Sequence, residues 1–201
     1  MSQIVLTADT LTASPTPGAF EYDGVASYVT PTTGQRGVIL SDQIIIQQSP
    51  YTLTSQTAAQ KLFNGTTNGQ VTLTAGTYGF DCFFSLSSMS LSSGSFGFAI
   101  GGSATVTQSF RAVAQKGTAT LATATATQTT YNTTANTTLA TASTNTVGYA
   151  QIDGILVVTV EGTIIPQVSL TVAAAAAVGA GSYFRIRPYG SSSVSYVGNW
   201  S

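Results

Sequence analysis

From Gly37 onward, short β-branched and aromatic stretches follow one another with Gly, Asn, Ser and Pro between them. No segment of useful length carries the apolar period of an amphipathic helix. A chain punctuated this way has few routes to a core. Each strand buries one face, the strands pair into sheets, and the sheets close as a sandwich or a barrel. An all-β fold is the expectation, and 201 residues suit a single domain of that kind.

Strand signals fall at residues 38–47, 51–54 and 70–74, the last alternating polar with apolar. Residues 77–86 are rich in aromatics. A period of two places Tyr78, Phe80, Cys82 and Phe84 on one face. Phe83 and Leu86 fall at the opposite parity or at the strand end. Residues 95–100 put Phe96, Phe98 and Ile100 together on one side. Later candidates are 104–113, 118–130, 147–161, 163–172, 182–188 and 193–200. Helical signals are few. Residues 58–64 allow one or two turns before Gly65, and the alanine run at 173–177 is cut by Gly179 and Gly181, which favours extended or loop-like chain. Residues 118–146 are nearly all Thr, Ala and Asn. They read as a solvent-facing hairpin, or as a flat ladder packed on a neighbouring subunit. Among sandwiches, the jelly roll is favoured.

Residues 1–36 form a separate opening before the domain at 37–201. Ile4-Val5-Leu6 suits one short strand, and Ser14-Pro15-Thr16-Pro17-Gly18 is a stiff break. Asp23-Gly24 lies between Phe20, Tyr22 and Ala26, Tyr28, which signals a β-hairpin whose two central residues take positive φ. The opening reads as an arm with a small hairpin, joined to the larger domain by flexible chain. Its apolar residues Ile4, Val5, Leu6, Phe20, Tyr22 and Tyr28 are the candidates for attachment. Tyr78, Phe80, Phe84, Phe96, Phe98 and Tyr183 are the candidates for the core and for subunit contacts.

The chemistry is bounded by what is missing. The sequence has no histidine, so the usual general base and the commonest transition-metal ligand are absent. Ser/His/Asp and Cys/His nucleophile systems are thereby removed. Glu21 and Asp23 share the parity of one hairpin face, but an aspartate at a turn serves the backbone first. Asp42, Asp81, Asp153 and Glu161 stand alone in the sequence, so no calcium loop can be read from their spacing. Asp81 reads as a satisfied inner polar group and Cys82 as a small buried hydrophobe. Neither Gly101-Gly102 nor Gly179-Ala180-Gly181 has the ending of a phosphate loop. No catalytic residue, cofactor or metal is expected.

Six basic residues, Arg36, Lys61, Arg111, Lys116, Arg185 and Arg187, are scattered against seven acidic ones, which argues against nucleic-acid binding. Hydrophobic residues make up 43% of the chain, too many for disorder. Solubility rests on Thr and Ser hydroxyls, and surfaces so weakly charged suit a packed assembly. The longest small-apolar run, 172–178, is too short to cross a membrane as a helix. Met1-Ser2-Gln3 carries no basic region and Ile4-Val5-Leu6 is too short for a signal core, so a cytosolic product is expected.

Two stretches resemble known families. Gly18-Ala19-Phe20-Glu21-Tyr22-Asp23-Gly24, with Tyr28-Val29-Thr30 and Gly34-Gln35-Arg36-Gly37, resembles the leader before the terminal domain of phage tail-fibre and minor structural proteins. Gly76-Thr77-Tyr78-Gly79-Phe80 resembles the Gly-x-Tyr-x-Phe strand of the C1q/TNF-like trimeric jelly rolls. Ser182-Tyr183-Phe184-Arg185-Ile186 is loosely similar to the last strands of that fold. The resemblance implies a non-enzymatic virion protein, a homotrimer assembled in the host cytoplasm. Its partners would be other copies of itself, capsid or tail proteins and, for an adhesin, a host surface receptor. No heptads or shaft repeats precede residue 37, which suits a capsid decoration or head-fibre protein attached through its arm. A tail-fibre or tail-tip adhesin is the alternative, and a soluble C1q-like binding module the second alternative.

Overall fold

The computed structural model describes residues 4–32, 35–92, 94–118, 125–132, 136–140 and 146–200, without the side chains of 125–132 and 136–140. Among these residues every regular element is a strand, and all pairings are antiparallel. The first three strands are β1 (Phe20–Tyr22), β2 (Ser27–Thr32) and β3 (Gln35–Ile39). Then come β4 (Gln43–Ile46), β5 (Tyr51–Thr52), β6 (Gln60–Lys61), β7 (Val71–Leu73), β8 (Gly76–Ser87) and β9 (Phe96–Gly101). The rest are β10 (Thr105–Gly117), β11 (Thr125–Asn132), β12 (Asn136–Ala140), β13 (Val147–Val160), β14 (Gly162–Leu170), β15 (Ala177–Val178) and β16 (Tyr183–Gly190).

Strands β1, β2 and β3 make a small sheet of their own. The large sheet runs β11-β10-β13-β8, and the far side of β8 is shared by β16 and β15, which lead on to β4 and β5 respectively. The other sheet of the sandwich runs β12-β9-β14, with β6 and β7 both pairing β14. Long strands sit at the centre: β8 and β13 stay in register from Gly76↔Val158 to Leu86↔Gly148.

The period of two explains the core. On β8 the even positions Tyr78, Phe80, Cys82, Phe84 and Leu86 are all buried, as the alternation predicts. Phe96, Phe98 and Ile100 face them from β9, and Phe110 joins from β10. Phe80 stacks on Phe184 with ring centroids 5.7 Å apart, and Phe98 meets Phe110 edge-on at 5.7 Å. Phe84 closes the cluster edge-on to Phe96 at 5.8 Å. Cys82 lies fully inside, and burial pushes its thiol up, with nearby Asp81 adding to the shift.

Several expectations change. Residues 38–47 do not form one strand: Leu40, Ser41 and Asp42 break it, so β3 stays with the small sheet and β4 joins the large one. Residues 58–64 make no helical turn, because Gln60 and Lys61 pair with Val168 and Gln167 as β6. The alanine run stays extended and ends in β15. Ile4, Val5 and Leu6 form no strand, and neither do residues 193–200, which run irregularly between a turn at Ser193 and a bend at Gly198 and Asn199. In the Thr/Ala/Asn segment β11 pairs β10 and β12 pairs β9. The rest of that segment, 119–124, 133–135 and 141–145, lies outside the described residues.

Candidate functional site: the outward sheet face and the N-terminal hairpin

Odd positions of β8 point away from the core, and the register carries their neighbours across the large sheet. One row reads Val113, Gln151, Phe83, Tyr183 and Ile46. The next reads Arg111, Asp153, Asp81, Arg185 and Ile44. Phe83 sits between Tyr149 at 5.9 Å and Tyr183 at 6.3 Å, all three rings half-buried. Ile44 and Ile46 on the edge strand are 55% and 42% exposed, and Val113 and Ile155 add further open apolar surface.

The charged row is paired internally. Arg111 meets Asp153 at 3.1 Å, and Arg185 meets Asp81 at 3.0 Å and Asp42 at 3.6 Å. Arg187 also donates to Asp81. These pairs raise the pKa of Arg185 further, through its hydrogen bond to Asp81 first. A cleft of about 470 Å³ opens here, lined by Asp81, Arg111, Asp153, Arg187 and Tyr189 among others. Asp81 lies 104 and 106 residues from Arg185 and Arg187 in sequence, yet the fold sets them on one face. Asp81 is therefore an outward ion-pair partner and not the inner polar group expected from its neighbours. Asp42 and Asp81, isolated in sequence, share one arginine.

The N-terminal hairpin forms where Asp23-Gly24 was expected to place it, with Phe20↔Val29, Glu21↔Tyr28 and Tyr22↔Ser27 in register. Its turn differs. Four residues, Asp23 to Ala26, connect the strands, and only Gly24 takes a positive φ, at 94°. Asp23 instead accepts the amides of Val25 at 2.9 Å and Ala26 at 2.7 Å, a side-chain-closed turn. Its other oxygen accepts the Tyr28 hydroxyl at 2.8 Å and the Ser191 amide at 3.1 Å. Tyr28 also donates to the Tyr189 carbonyl. Burial, then Asp23, push the Tyr28 hydroxyl well above the ordinary tyrosine range.

These bonds seat the hairpin on the sandwich. Val25 packs where a side chain on Gly76 would collide at 2.7 Å, and Tyr28 lies against Gly190, whose φ is 147°. A second tie holds the small sheet together: Arg36 grips Glu21 with two bonds, at 2.7 and 3.0 Å, and the Thr12 amide reaches the same carboxylate. The Arg36 hydrogen bond holds the Glu21 carboxyl below its usual range. The opening is thus fastened, where flexible chain was expected, and β3 straddles the expected boundary between residues 36 and 37.

The arm candidates therefore separate. Ile4, Val5 and Leu6 are 92%, 73% and 40% exposed and Phe20 is open, whereas Tyr22 is half-buried and Tyr28 is spent inside the fold at 1%. Of the other six, Tyr78, Phe80, Phe84, Phe96 and Phe98 are interior to the chain's own sandwich, and Tyr183 alone faces outward. In the outward cluster Phe83 sits on the face its odd parity gives it, whereas Tyr149, Ile44 and Ile46 reach that face through strand pairings that no local pattern encodes. Among the described residues no group of acidic or sulfur side chains could hold a metal ion, and no helix is long and apolar enough to cross a membrane. No family model, curated protein or solved structure matches the chain.

Proposed function

We propose that the chain is a non-enzymatic virion structural protein that works as a homotrimer decorating a phage capsid. The observation that carries this reading is the outward face of the large sheet. It shows aromatic and aliphatic surface around a neutral set of ion pairs, in a chain with only thirteen charged side chains. A surface of that kind is suited to being covered by copies of itself. The strand order supports the finer fold reading: β4-β16-β8-β13 in one sheet and β6/β7-β14-β9-β12 in the other is compatible with jelly-roll wiring, with β10 and β11 added beyond β13. The motifs at residues 18–37 and 76–80 support the phage and C1q/TNF-like resemblance. The open N-terminal residues and Phe20 supply surface for attachment to the particle or to sister subunits.

Light scattering at micromolar concentration checks the assembly. The mass should be three times 20.6 kDa, and Phe83→Asp should reduce it to a folded monomer. A monomeric wild-type protein would overturn the reading. Particles stripped of the protein should rebind it in many copies over the capsid. Rebinding at a tail vertex alone would favour a second reading, a receptor-binding adhesin. That reading has its own support in Tyr196 and in Trp200, which is 77% exposed and offers an open ring to a sugar.

A further inference from the structure

The sandwich is open along one seam. Strand β4 pairs with β16 on one side, and among the described residues its other edge has no strand partner. Beside that edge lies a cleft of about 210 Å³ between the two sheets, reaching the core at Phe184 and Ile186 and walled by Ile45, Val71 and Pro166. Its lining contains no charged side chain. That volume is below the ~300–1,000 Å³ of small-molecule sites and suits aliphatic side chains. Edges of this kind are usually blunted by Lys, Pro or a bulge, and Gln43-Ile44-Ile45-Ile46 has none of these.

A matching segment sits elsewhere on the same chain. Ile4-Val5-Leu6 is uncharged and built of strong strand formers, yet it is solvent-exposed and, among the described residues, unpaired. Its chain is first held at Asp9, whose amide donates to the Tyr22 carbonyl. The single chain does not lay this segment in its own cleft. We infer that Ile4-Val5-Leu6 adds as a strand to the β4 edge of a second copy, with Ile4 and Leu6 over the cleft and Val5 beside Ile44.

Both faces of the donated segment then meet apolar partners, as strand addition requires. The second copy is favoured because the edge is continuous with the outward face: Ile46 pairs with Tyr183 and Ile44 with Arg185. The inference rests on the self-assembly reading and narrows it. Ile4 to Leu6 join copies together, which leaves Phe20 for the particle.

The test uses full-length chains carrying different tags, one with Val5→Cys and the other with Ile44→Cys, co-expressed and treated with a short bis-maleimide. Cys82 is buried and does not compete. The expected product is a linked dimer bearing both tags, together with an about tenfold weaker assembly for Ile4→Asp/Leu6→Asp, equivalent to about 1.4 kcal/mol. An assembly of the right mass without the two-tag product would overturn this inference and leave the assembly reading standing. Linkage only within a single chain carrying both cysteines would do the same. A wild-type monomer in light scattering would remove both.

Discussion

The sandwich interior and the N-terminal hairpin are held by different forces. Between the sheets, Phe80, Phe84, Phe96, Phe98, Phe110 and Phe184 interlock with hardly a polar atom among them. The hairpin has little interior of its own and is held by carboxylates: Asp23 closes its turn and ties it to Ser191, and Glu21 locks Arg36. Apolar packing is indifferent to pH, whereas the Glu21 tie is not. The molecule therefore pairs a robust body with an appendage whose docking responds to solution conditions.

The comparison is broken most severely from the core side. Phe80→Ala removes a ring touching three others and should cost on the order of 3–5 kcal/mol in chemical denaturation. A loss below about 1 kcal/mol would mean that the core does not rest on this cluster. Tyr28→Phe, by contrast, should leave the sandwich intact and loosen the hairpin by about 1.5–3 kcal/mol, the worth of a hydrogen bond to a charged group. Hydrogen exchange of the β1 and β2 amides should quicken while β8 and β13 stay protected. Equal acceleration everywhere would show one cooperative unit.

A smaller effect has the opposite sign. The Thr30 hydroxyl is buried in the hairpin strand and has no hydrogen-bond partner among the described residues. Thr30→Val keeps the shape and should stabilise the hairpin by about 1 kcal/mol. A destabilised variant in the same exchange measurement would mean that the hydroxyl has a partner. The smallest effect is titration. Glu21 is held below its usual range, so its contribution is present above about pH 4.3, the unfolded value, and is lost as pH falls below that. Tyr28 is shifted upward, so its contribution is intact below about pH 10 and is lost as pH rises beyond it. Protection factors at β1 and β2, with the intrinsic pH dependence of exchange divided out, should therefore be flat between these limits and fall outside them, with Glu21→Gln abolishing the acid limb.

The strands and the core were legible because both follow a local rule. Alternation over residues 77–86 placed Tyr78, Phe80, Cys82 and Phe84 inside, and the structure agrees. The assignment for Asp81 failed because its partners Arg185 and Arg187 are 104 and 106 residues away, and no local pattern encodes them. Residues 38–47 misled for a different reason: β propensity is continuous there, but the chain changes sheets at Leu40 to Asp42. The hairpin was visible in Asp23-Gly24, yet its docking depends on Gly76 and Gly190, glycines whose role appears only once Val25 and Tyr28 lie against them.

That docking has a consequence in time. Asp23 waits for Ser191 across 168 positions of chain, and Tyr28 waits for Tyr189 across 161. Ribosomes add residues at roughly 5–20 per second, so the hairpin emerges many seconds before its seat exists. Docking therefore cannot be completed until Ser191 has been made, and a polypeptide truncated before Tyr189 would lack both of these ties.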